Sequence, residues 1–364
     1  MTAPMDGNAI VYCEGAFGTT NGKTAHGLVR RTARYRVLSV VDSRHAGEDA
    51  GRVLDGRDAG IPVHHNLLAA LGGARQAGVE ATHLVVGLAP DGGRLPDSVR
   101  GDIALALRLG LHVDSGLHDF LGDDPEFAAI AAASGVRIRD IRKTPDRKDL
   151  HAFTGCIEEV GSYRIALLGT DSAVGKRTTA WLLVDALRAA GYTAELIGTG
   201  QTAWLQGAPY GIILDSLIND FVAGEIEHAI WRAWTEARPE VLVLEGQGSL
   251  LNPAYPGGHE LLAAGRPDVV LMQHAPDRVD YDGFPGHAMH PLDVQIRAVE
   301  LLSGCDVAVI ALNHEGLDAA GIAQAEKEIF EWYGVPCVDA LVHGGAPLVE
   351  LLRGRLEEYR EEQG

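Results

Sequence analysis

The sequence is poor in cysteine and lacks long apolar runs. Its four cysteines, Cys13, Cys156, Cys305 and Cys337, are far apart, form no CxxC pair and have no histidine spacing typical of zinc. No apolar run approaches the roughly 20 residues of a membrane-spanning helix, and no charged-then-apolar signal segment begins the chain. These features predict reduced cysteines in a cytoplasmic protein that has no membrane partner.

Basic residues are also scarce. The 31 lysines and arginines are outnumbered by 50 aspartates and glutamates, so the formal net charge is −19. A charge of this sign opposes binding to nucleic acid, and an anionic ligand has to be attracted by locally positive groups. The length of 364 residues is sufficient for two domains with separate cores.

The N-terminal part has the pattern of alternating strands and helices. Apolar segments of strand length lie at residues 9–13, 36–41 and 83–87. Together with the helix-like segments between them, they predict a Rossmann-like parallel-sheet domain in residues 1–140. The glycines between residues 15 and 22 do not fit GxGxxG, so both a structural turn and a ligand-binding loop stay open there. The second strand ends at Asp42, where such a unit carries an acid.

A basic segment joins the two parts of the chain. Residues 141–160 are predicted to be a linker, because six basic residues lie between 136 and 148 and Pro145 prevents a continuous helix. The segment is either a solvated linker or an anion-facing seam. In the second case Arg142 and Lys143 are the favoured residues, because they precede the turn. Residues 161–364 are predicted to form a second α/β domain.

A candidate phosphate-binding loop organises this second domain. The apolar strand Ile165–Leu168 enters a loop bounded by Gly169 and Gly175, and Lys176 then begins an apolar helical pattern. Strand, glycine loop, lysine and helix form the order of a P-loop, in which backbone N–H groups and a helix N-terminus point at an anion. The sequence therefore predicts phosphate binding here.

Two departures from the common P-loop form weaken the case for ATP hydrolysis. Five residues separate Gly169 from Gly175, where four are usual. Arg177 stands where a serine or threonine usually holds Mg²⁺. Thr178 comes one position late, which turns its hydroxyl by about 100° around a helix.

Polar residues follow the other predicted strands of this domain. The apolar strand at 241–244 ends at Glu245, where P-loop proteins place a carboxylate that binds Mg²⁺ or water. The strands at 194–197 and 307–312 lead to Gln201 and Asn313, and the segment 269–278 carries His274 and Arg278 at the exit from a strand. These are candidate ligand-binding residues, because ligands bind at the carboxyl ends of parallel strands. The histidines of the 274–290 loop lack a recognised metal-ligand spacing, so no metal site is firmly predicted.

The P-loop half resembles the dethiobiotin synthetases. Their loop also has five residues between the glycines, and Glu245-Gly246-Gln247-Gly248 is similar to their Glu-Gly-Ala-Gly strand end. Asn313 matches the position at which those proteins read adenine. Arg177 stands where they have a Mg²⁺-binding threonine.

A second resemblance covers nearly the whole chain. Five motifs are similar to those of the two-domain family named for D-glutamate N-acetyltransferase: Ala89–Gly93, Asp140–Lys143, the P-loop with residues 176–179, Gly198–Thr202 and Glu245–Gly248. In that family an Arg or Met after the P-loop lysine is usual. The resemblance implies a Rossmann-like domain followed by a P-loop NTPase-like α/β domain. It also implies acetyl transfer from acetyl-CoA to the amine of an amino acid such as D-glutamate.

This resemblance sets the expected roles of the site residues. A P-loop can hold a phosphate of acetyl-CoA without cleaving a phosphoanhydride. Glu245 is the first candidate for the base and His274 the second. Arg142, Lys143, Gln201 and Arg278 are the candidates for substrate binding, since arginine pairs bidentately with carboxylates. The candidate donor-binding residues are Gly169, Thr170, Asp171, Ser172, Ala173, Val174, Gly175, Lys176, Arg177, Thr178, Thr179 and Asn313.

ATP-dependent chemistry is the alternative. A ligase or kinase resembling dethiobiotin synthetase would place Lys176 on the β- and γ-phosphates, Thr178 and Glu245 on Mg²⁺, and Asn313 on adenine. A nucleotide-sensing regulatory protein is a third hypothesis, since P-loops also serve as switches. The expected partner is a small-molecule amino acid and no nucleic acid, and formation of a homo-oligomer is left open.

Overall fold

The computed structural model describes residues 5–363, which group into two compact units. One holds the chain up to Thr144 together with Gln201–Pro209, and the other holds Pro145–Gly200 together with the chain from Tyr210 onward. Both units are parallel-sheet α/β domains, so the predicted fold class is confirmed. The segment Gln201–Pro209 groups with the first unit, whereas the predicted second domain runs without a break from 161 to 364.

Six parallel strands form the sheet of the first unit. They are β1 (Gly7–Tyr12), β2 (Tyr35–Val41), β3 (Val63–His64), β4 (His83–Val86), β5 (His112–Ser115) and β6 (Ile138–Asp140). Their order, β3-β2-β1-β4-β5-β6, reverses at β1 and β4 as in a Rossmann sheet. Strand β6 lies inside the basic segment between 136 and 148, so part of that segment is a sheet edge.

Five helices connect these strands. They are α1 (Lys23–Arg30), α2 (Ala50–Asp55), α3 (Leu67–Gln76), α4 (Arg100–Arg108) and α5 (Pro125–Ser134). Local sequence explains where several begin. The Asn66 side chain accepts a hydrogen bond from Ala69 N at 2.8 Å, and Asp124 accepts one from Glu126 N at 2.9 Å. Pro125 occupies the first position of α5, where its missing N–H has no cost.

The acid at the end of β2 has a structural partner in the loop after β1. The carboxylate of Asp42 is fully buried and accepts hydrogen bonds from Phe17 N and Arg44 N, each at 2.8 Å. The loop of residues 14–22 is therefore held by Asp42. This contact favours the structural turn among the two possibilities that the sequence leaves open for the loop.

Seven parallel strands form the sheet of the second unit. They are β7 (Tyr163–Gly169), β8 (Ala194–Gly198), β9 (Tyr210–Gly211), β10 (Val241–Glu245), β11 (Val269–His274), β12 (Val307–Leu312) and β13 (Cys337–Val338). Their order is β13-β12-β11-β7-β10-β8-β9. The P-loop strand β7 thus lies between β11 and β10, and the polar residues that end these strands meet at one edge.

The remaining helices follow in chain order. They are α6 (Lys176–Ala189), α7 (Gln201–Leu205), α8 (Asn219–Ala237), α9 (His259–Gly265), α10 (Leu292–Ser303), α11 (Ala319–Tyr333), α12 (Ala340–His343) and α13 (Ala346–Gln363). Helix α6 buries Ala180, Leu183, Val184 and Leu187, which follow helical spacing. Between residues 5 and 363 no helix is long and apolar enough to cross a membrane.

Strand alternation places the polar residues at the strand ends on the face of the sheet opposite one buried cluster. Leu168, Leu244 and Met272 belong to one buried cluster that lies on a single face of the sheet. Because successive side chains point to opposite faces, Glu245 and Gln273 project from the other face. Helix α6 packs on strands β7 and β10.

Candidate active site

The loop between β7 and α6 has the backbone geometry of an anion-binding turn. Gly175, the last loop residue, has φ +105°, a conformation that L side chains rarely adopt. Ala173 also lies in the left-handed region, with φ +52°, which is a strained state for an alanine. Within residues 5–363 no side chain caps the N-terminus of α6. The loop therefore aims a helix N-terminus at the space above β7, where an anion is favoured.

Lys176 is the cation that this loop holds. Its side chain is only 7% exposed, and Nζ donates to Asp171 O at 2.6 Å and to Gly248 O at 2.7 Å. The two carbonyls belong to the P-loop and to the loop after β10. The ammonium is therefore fixed between these two loops.

Asp171 is a buried carboxylate inside the P-loop. It is fully buried and accepts hydrogen bonds from Ser172 N at 2.7 Å, and from Asn252 Nδ2 and Asp282 N at 2.8 Å each. Arg278 Nη1 completes the set at 2.8 Å. Asp171 thus joins the P-loop to the loops that follow β10 and β11.

Arg278, which the sequence predicts as a substrate ligand, binds groups of the protein itself. Besides Asp171, its Nη1 donates to Ser172 O at 2.9 Å, and its Nη2 donates to Glu315 at 2.5 Å. Burial acts to lower the pKa of the guanidinium, but the hydrogen bonds and charges of Glu315 and Asp171 outweigh it, so the pKa is raised. In the structure Arg278 therefore connects the P-loop residues Asp171 and Ser172 to Glu315.

Glu245 ends β10 beside the P-loop cations. Its carboxylate is 6% exposed and accepts a hydrogen bond from Thr199 N at 3.0 Å. Burial raises the pKa of Glu245, while the charges of Arg177 and Lys176 and the Thr199 hydrogen bond oppose that rise. A carboxyl group whose pKa is raised is a better proton acceptor near neutral pH. Glu245 therefore lies at the end of β10, the strand that pairs with the P-loop strand β7.

Thr178, predicted with Glu245 as a Mg²⁺ ligand under the alternative, lies half-buried in the first turn of α6, next to Thr179. In the part of the chain that the structure describes, no three His, Cys, Asp or Glu side chains are grouped as a metal site.

His274 supports the P-loop from the neighbouring strand. Its Nδ1 atom hydrogen-bonds to the hydroxyl of Thr170 at 3.0 Å, and Thr170 is fully buried. Burial, and next the charge of Arg278, lower the pKa of His274 to about 4. Such an imidazole is neutral at pH 7 but is a weak base. Glu245 is therefore the better of the two candidates.

Gln273 is a site residue that the sequence does not single out. It is 2% exposed, and within residues 5–363 its Oε1 atom is buried without a hydrogen-bond donor. Its Nε2 atom lies 3.8 Å from the position that a Cβ on Gly175 would take. An amide N–H at this place can donate to an anion in the loop. Its position one residue before His274 on a predicted strand is the signal that could have found it.

Asn313 also contacts the P-loop. Its Nδ2 atom donates to Val174 O at 2.9 Å, and its Oδ1 atom accepts from Glu315 N at 2.9 Å. The predicted adenine-reading residue therefore holds the loop at its apex, and both ends of its amide are engaged by the backbone.

Two predicted substrate ligands lie together in the first unit. The guanidinium of Arg142 donates to Gly116 O, after β5, and the side chain of Gln201 lies against Gly116 so closely that a Cβ there would be 2.5 Å from Gln201 Cγ. Lys143 instead forms an ion pair with Asp123, with both side chains more than half exposed. An exposed pair of this kind contributes little to stability.

The fold and this loop define a two-domain α/β protein with a P-loop. Residues 151–349 match the family model described as "Domain of unknown function (DUF1611_C) P-loop domain". Residues 43–144 match the model described as "Domain of unknown function (DUF1611_N) Rossmann-like domain". The chain therefore belongs to the DUF1611 family.

Three relatives are similar over most of the chain. A D-glutamate N-acetyltransferase from Tritonibacter scottomollicae is 31% identical over 293 residues, which are 77% of this chain and 83% of that protein. A D-glutamate N-acetyltransferase from a Pseudoalteromonas species is 29% identical over 272 residues, 72% of this chain and 79% of that protein. The crystal structure of a DUF1611 family protein from Anabaena variabilis ATCC 29413 has a TM-score of 0.85 and 28% identity, covering 96% of this chain and 99% of that one. The shared name of the first two supports an acetyltransferase activity.

Proposed function

We propose that the chain transfers the acetyl group of acetyl-CoA to the amine of an amino acid such as D-glutamate, with a CoA phosphate held by the P-loop. The observation that carries the proposal is the shared name of two relatives that match 72–77% of the chain. The geometry of the P-loop and of Glu245 supports it.

The donors at the loop suit a phosphate. Lys176 supplies a buried positive charge, Gln273 Nε2 a neutral donor, and α6 an uncapped N-terminus among the described residues. The charges of Arg177 and Lys176 act on Glu245, as their lowering effect on its pKa indicates. Two cations beside this carboxylate oppose a divalent metal there. This favours a phosphate ligand that needs no Mg²⁺.

Glu245 is the proposed proton acceptor. Attack of the neutral amine on the thioester forms a C–N bond and breaks the C–S bond, and the released thiolate takes up a proton. Glu245 would accept the proton that the amine nitrogen loses, which a carboxyl group with a raised pKa does more readily.

Release of the CoA thiol tests the proposal. The protein is mixed with acetyl-CoA and D-glutamate in the absence of nucleotide, with L-glutamate and D-aspartate as comparison acceptors. We expect turnover with an amino-acid acceptor, and we expect it to survive a chelator. An absolute requirement for ATP, with activity lost in EDTA and restored by Mg²⁺, would instead establish the ligase or kinase alternative.

A further inference from the structure

An aspartate–histidine pair lies at the same edge of the sheet as the P-loop. His314, two residues after β12, has its Nδ1 atom 2.5 Å from Oδ2 of Asp339, which is fully buried. The other carboxylate oxygen of Asp339 accepts from Leu341 N at 2.9 Å and from Val342 N at 3.1 Å. Asp339 is thus fixed, and it fixes the tautomer and orientation of the His314 ring.

The exposed end of this pair is available to a ligand. The His314 side chain is 35% exposed, and Nε2 has no hydrogen-bond partner within residues 5–363. Its neighbours along the chain are fastened to the P-loop, Asn313 through Val174 O and Glu315 through Arg278. His314 is therefore held next to the phosphate-binding loop with one ring nitrogen open.

His314 and Glu245 lie on opposite sides of the P-loop. In the strand order β12-β11-β7-β10, three steps separate the strand before His314 from the strand that ends at Glu245. At 4.7–4.9 Å a step, the strand axes are about 14 Å apart. One small amine cannot touch both side chains. A long ligand whose phosphates occupy the P-loop can reach both with its two ends.

We propose that His314, positioned by Asp339, binds the 3′-phosphate at the nucleoside end of CoA. The inference rests on the proposed function: if Glu245 takes the proton of the amine, the thioester end lies on the β10 side, so the nucleoside end lies on the β12 side. With Nδ1 donating to Asp339, Nε2 becomes a donor when the ring carries a second proton. An imidazolium N–H at this atom can donate a charge-assisted hydrogen bond to a phosphate oxygen.

The 3′-phosphate also provides specificity. It distinguishes CoA from ATP and from 3′-dephospho-CoA, which share the adenosine and the diphosphate. A charge-assisted hydrogen bond to this group favours CoA over its dephospho form by roughly 10- to 100-fold. His314 would then select the acyl carrier and leave the chemical step unchanged.

Calorimetric titration of CoA and 3′-dephospho-CoA, without an acyl acceptor, tests the proposal. We expect the wild type to bind CoA more tightly by the factor above, and His314→Gln to bind both ligands with the affinity of the wild type for the dephospho form. Asp339→Asn should lose part of the preference, with thermal unfolding measured alongside because Asp339 also caps α12. His343→Gln is the matched control, since this half-exposed histidine pairs with Glu326 at 3.5 Å.

The outcomes separate this inference from the proposed function. Equal affinities of the wild type for the two ligands would overturn the role of His314 alone. So would a His314→Gln variant that keeps its preference for CoA but loses kcat, because that result identifies His314 as a base. Failure of the wild type to bind CoA at all would overturn the acetyl-CoA proposal, and this inference with it.

Discussion

Replacement of Asp171 by asparagine should destabilise the second unit more than any exposed charge change nearby. The side chain keeps its shape, but its amide places N–H groups against donors from Asn252, Asp282 or Arg278. It also removes the fully buried partner of Arg278, whose side chain is 11% exposed. Breaking a buried ion pair by removal of one partner costs about 3–5 kcal/mol. For a unit of this size that corresponds to a fall in Tm of roughly 6–20 °C.

Glu315→Gln is the matched control for this change. Glu315 pairs with the same guanidinium at 2.5 Å, but its side chain is 56% exposed. An exposed pair contributes less than about 1 kcal/mol, so this variant should melt within a few degrees of the wild type. Thermal unfolding by circular dichroism, with and without CoA, measures both variants.

Two results would refute the role of Asp171 as the centre of the P-loop. One is equal, small Tm changes in the two variants. The other is a stable Asp171→Asn protein whose acceptor KM rises strongly while CoA binding stays intact. The second outcome would return Arg278 to the substrate, as the sequence predicts.

Four further variants test the site. Lys176→Met should weaken CoA binding by about 2–4 kcal/mol in calorimetry, because it removes the cation fixed in the loop. Glu245→Gln should lower kcat by about 10²–10⁴-fold with little change in the KM for acetyl-CoA. Gln273→Leu should weaken CoA binding by roughly 10-fold, because it removes the Nε2 donor near Gly175. It should not lower Tm, since the buried acceptor Oε1 that it also removes has no donor among the described residues. The pKa of His274 falls from 6.5 to about 4 on folding. Its neutral imidazole therefore contributes on the order of 3 kcal/mol to the free energy of unfolding above about pH 6.5, and this contribution is lost as the pH falls toward 4. His274→Gln should therefore flatten the decline in urea stability between these pH values.

Contrary results are equally specific. Unchanged calorimetry for Lys176→Met would remove the phosphate role of the loop, and near-wild-type kcat for Glu245→Gln would demote the carboxylate to a structural role. A Gln273→Leu variant that loses stability but binds CoA normally would make that glutamine a packing residue. Parallel pH curves for wild type and His274→Gln would contradict the neutral buried imidazole.

Local sequence predicted the central strands and the position of the P-loop well. The run Ile165–Leu168 and the apolar spacing after Lys176 are strong local signals, and the structure extends them to β7 and α6. The strand prediction for residues 307–312 coincides with β12. Strands at the sheet edge have weaker local signals, as β6 shows: Ile138–Asp140, within the basic segment between 136 and 148, form a strand because they pair with β5.

Side-chain partners were the part that sequence could not supply. The pair of Arg278 and Asp171 spans 107 positions, and the pair of His314 and Asp339 spans 25. A charged residue near a strand end can bind a ligand or another charge, and only the folded contacts decide. Arg278, which the sequence predicts as a substrate ligand, contacts Asp171 and Glu315 in the structure.

In this acidic chain, the carboxylates of Asp171 and Glu245 at the loop lie close to arginine side chains that offset their negative charge. Asp171 would repel a phosphate, but Arg278 neutralises it at 2.8 Å. The negative charge of Glu245 is opposed by Arg177, the first of the cations that lower its pKa. Lys176 is the buried lysine of the loop, and its ammonium is held by the carbonyls of Asp171 and Gly248. In a chain with net charge −19, we expect the affinity of the loop for an anion to depend strongly on this ammonium and on the N-terminus of α6. Loss of Lys176 should therefore weaken anion binding more than loss of any neutral donor at the loop, Gln273 included.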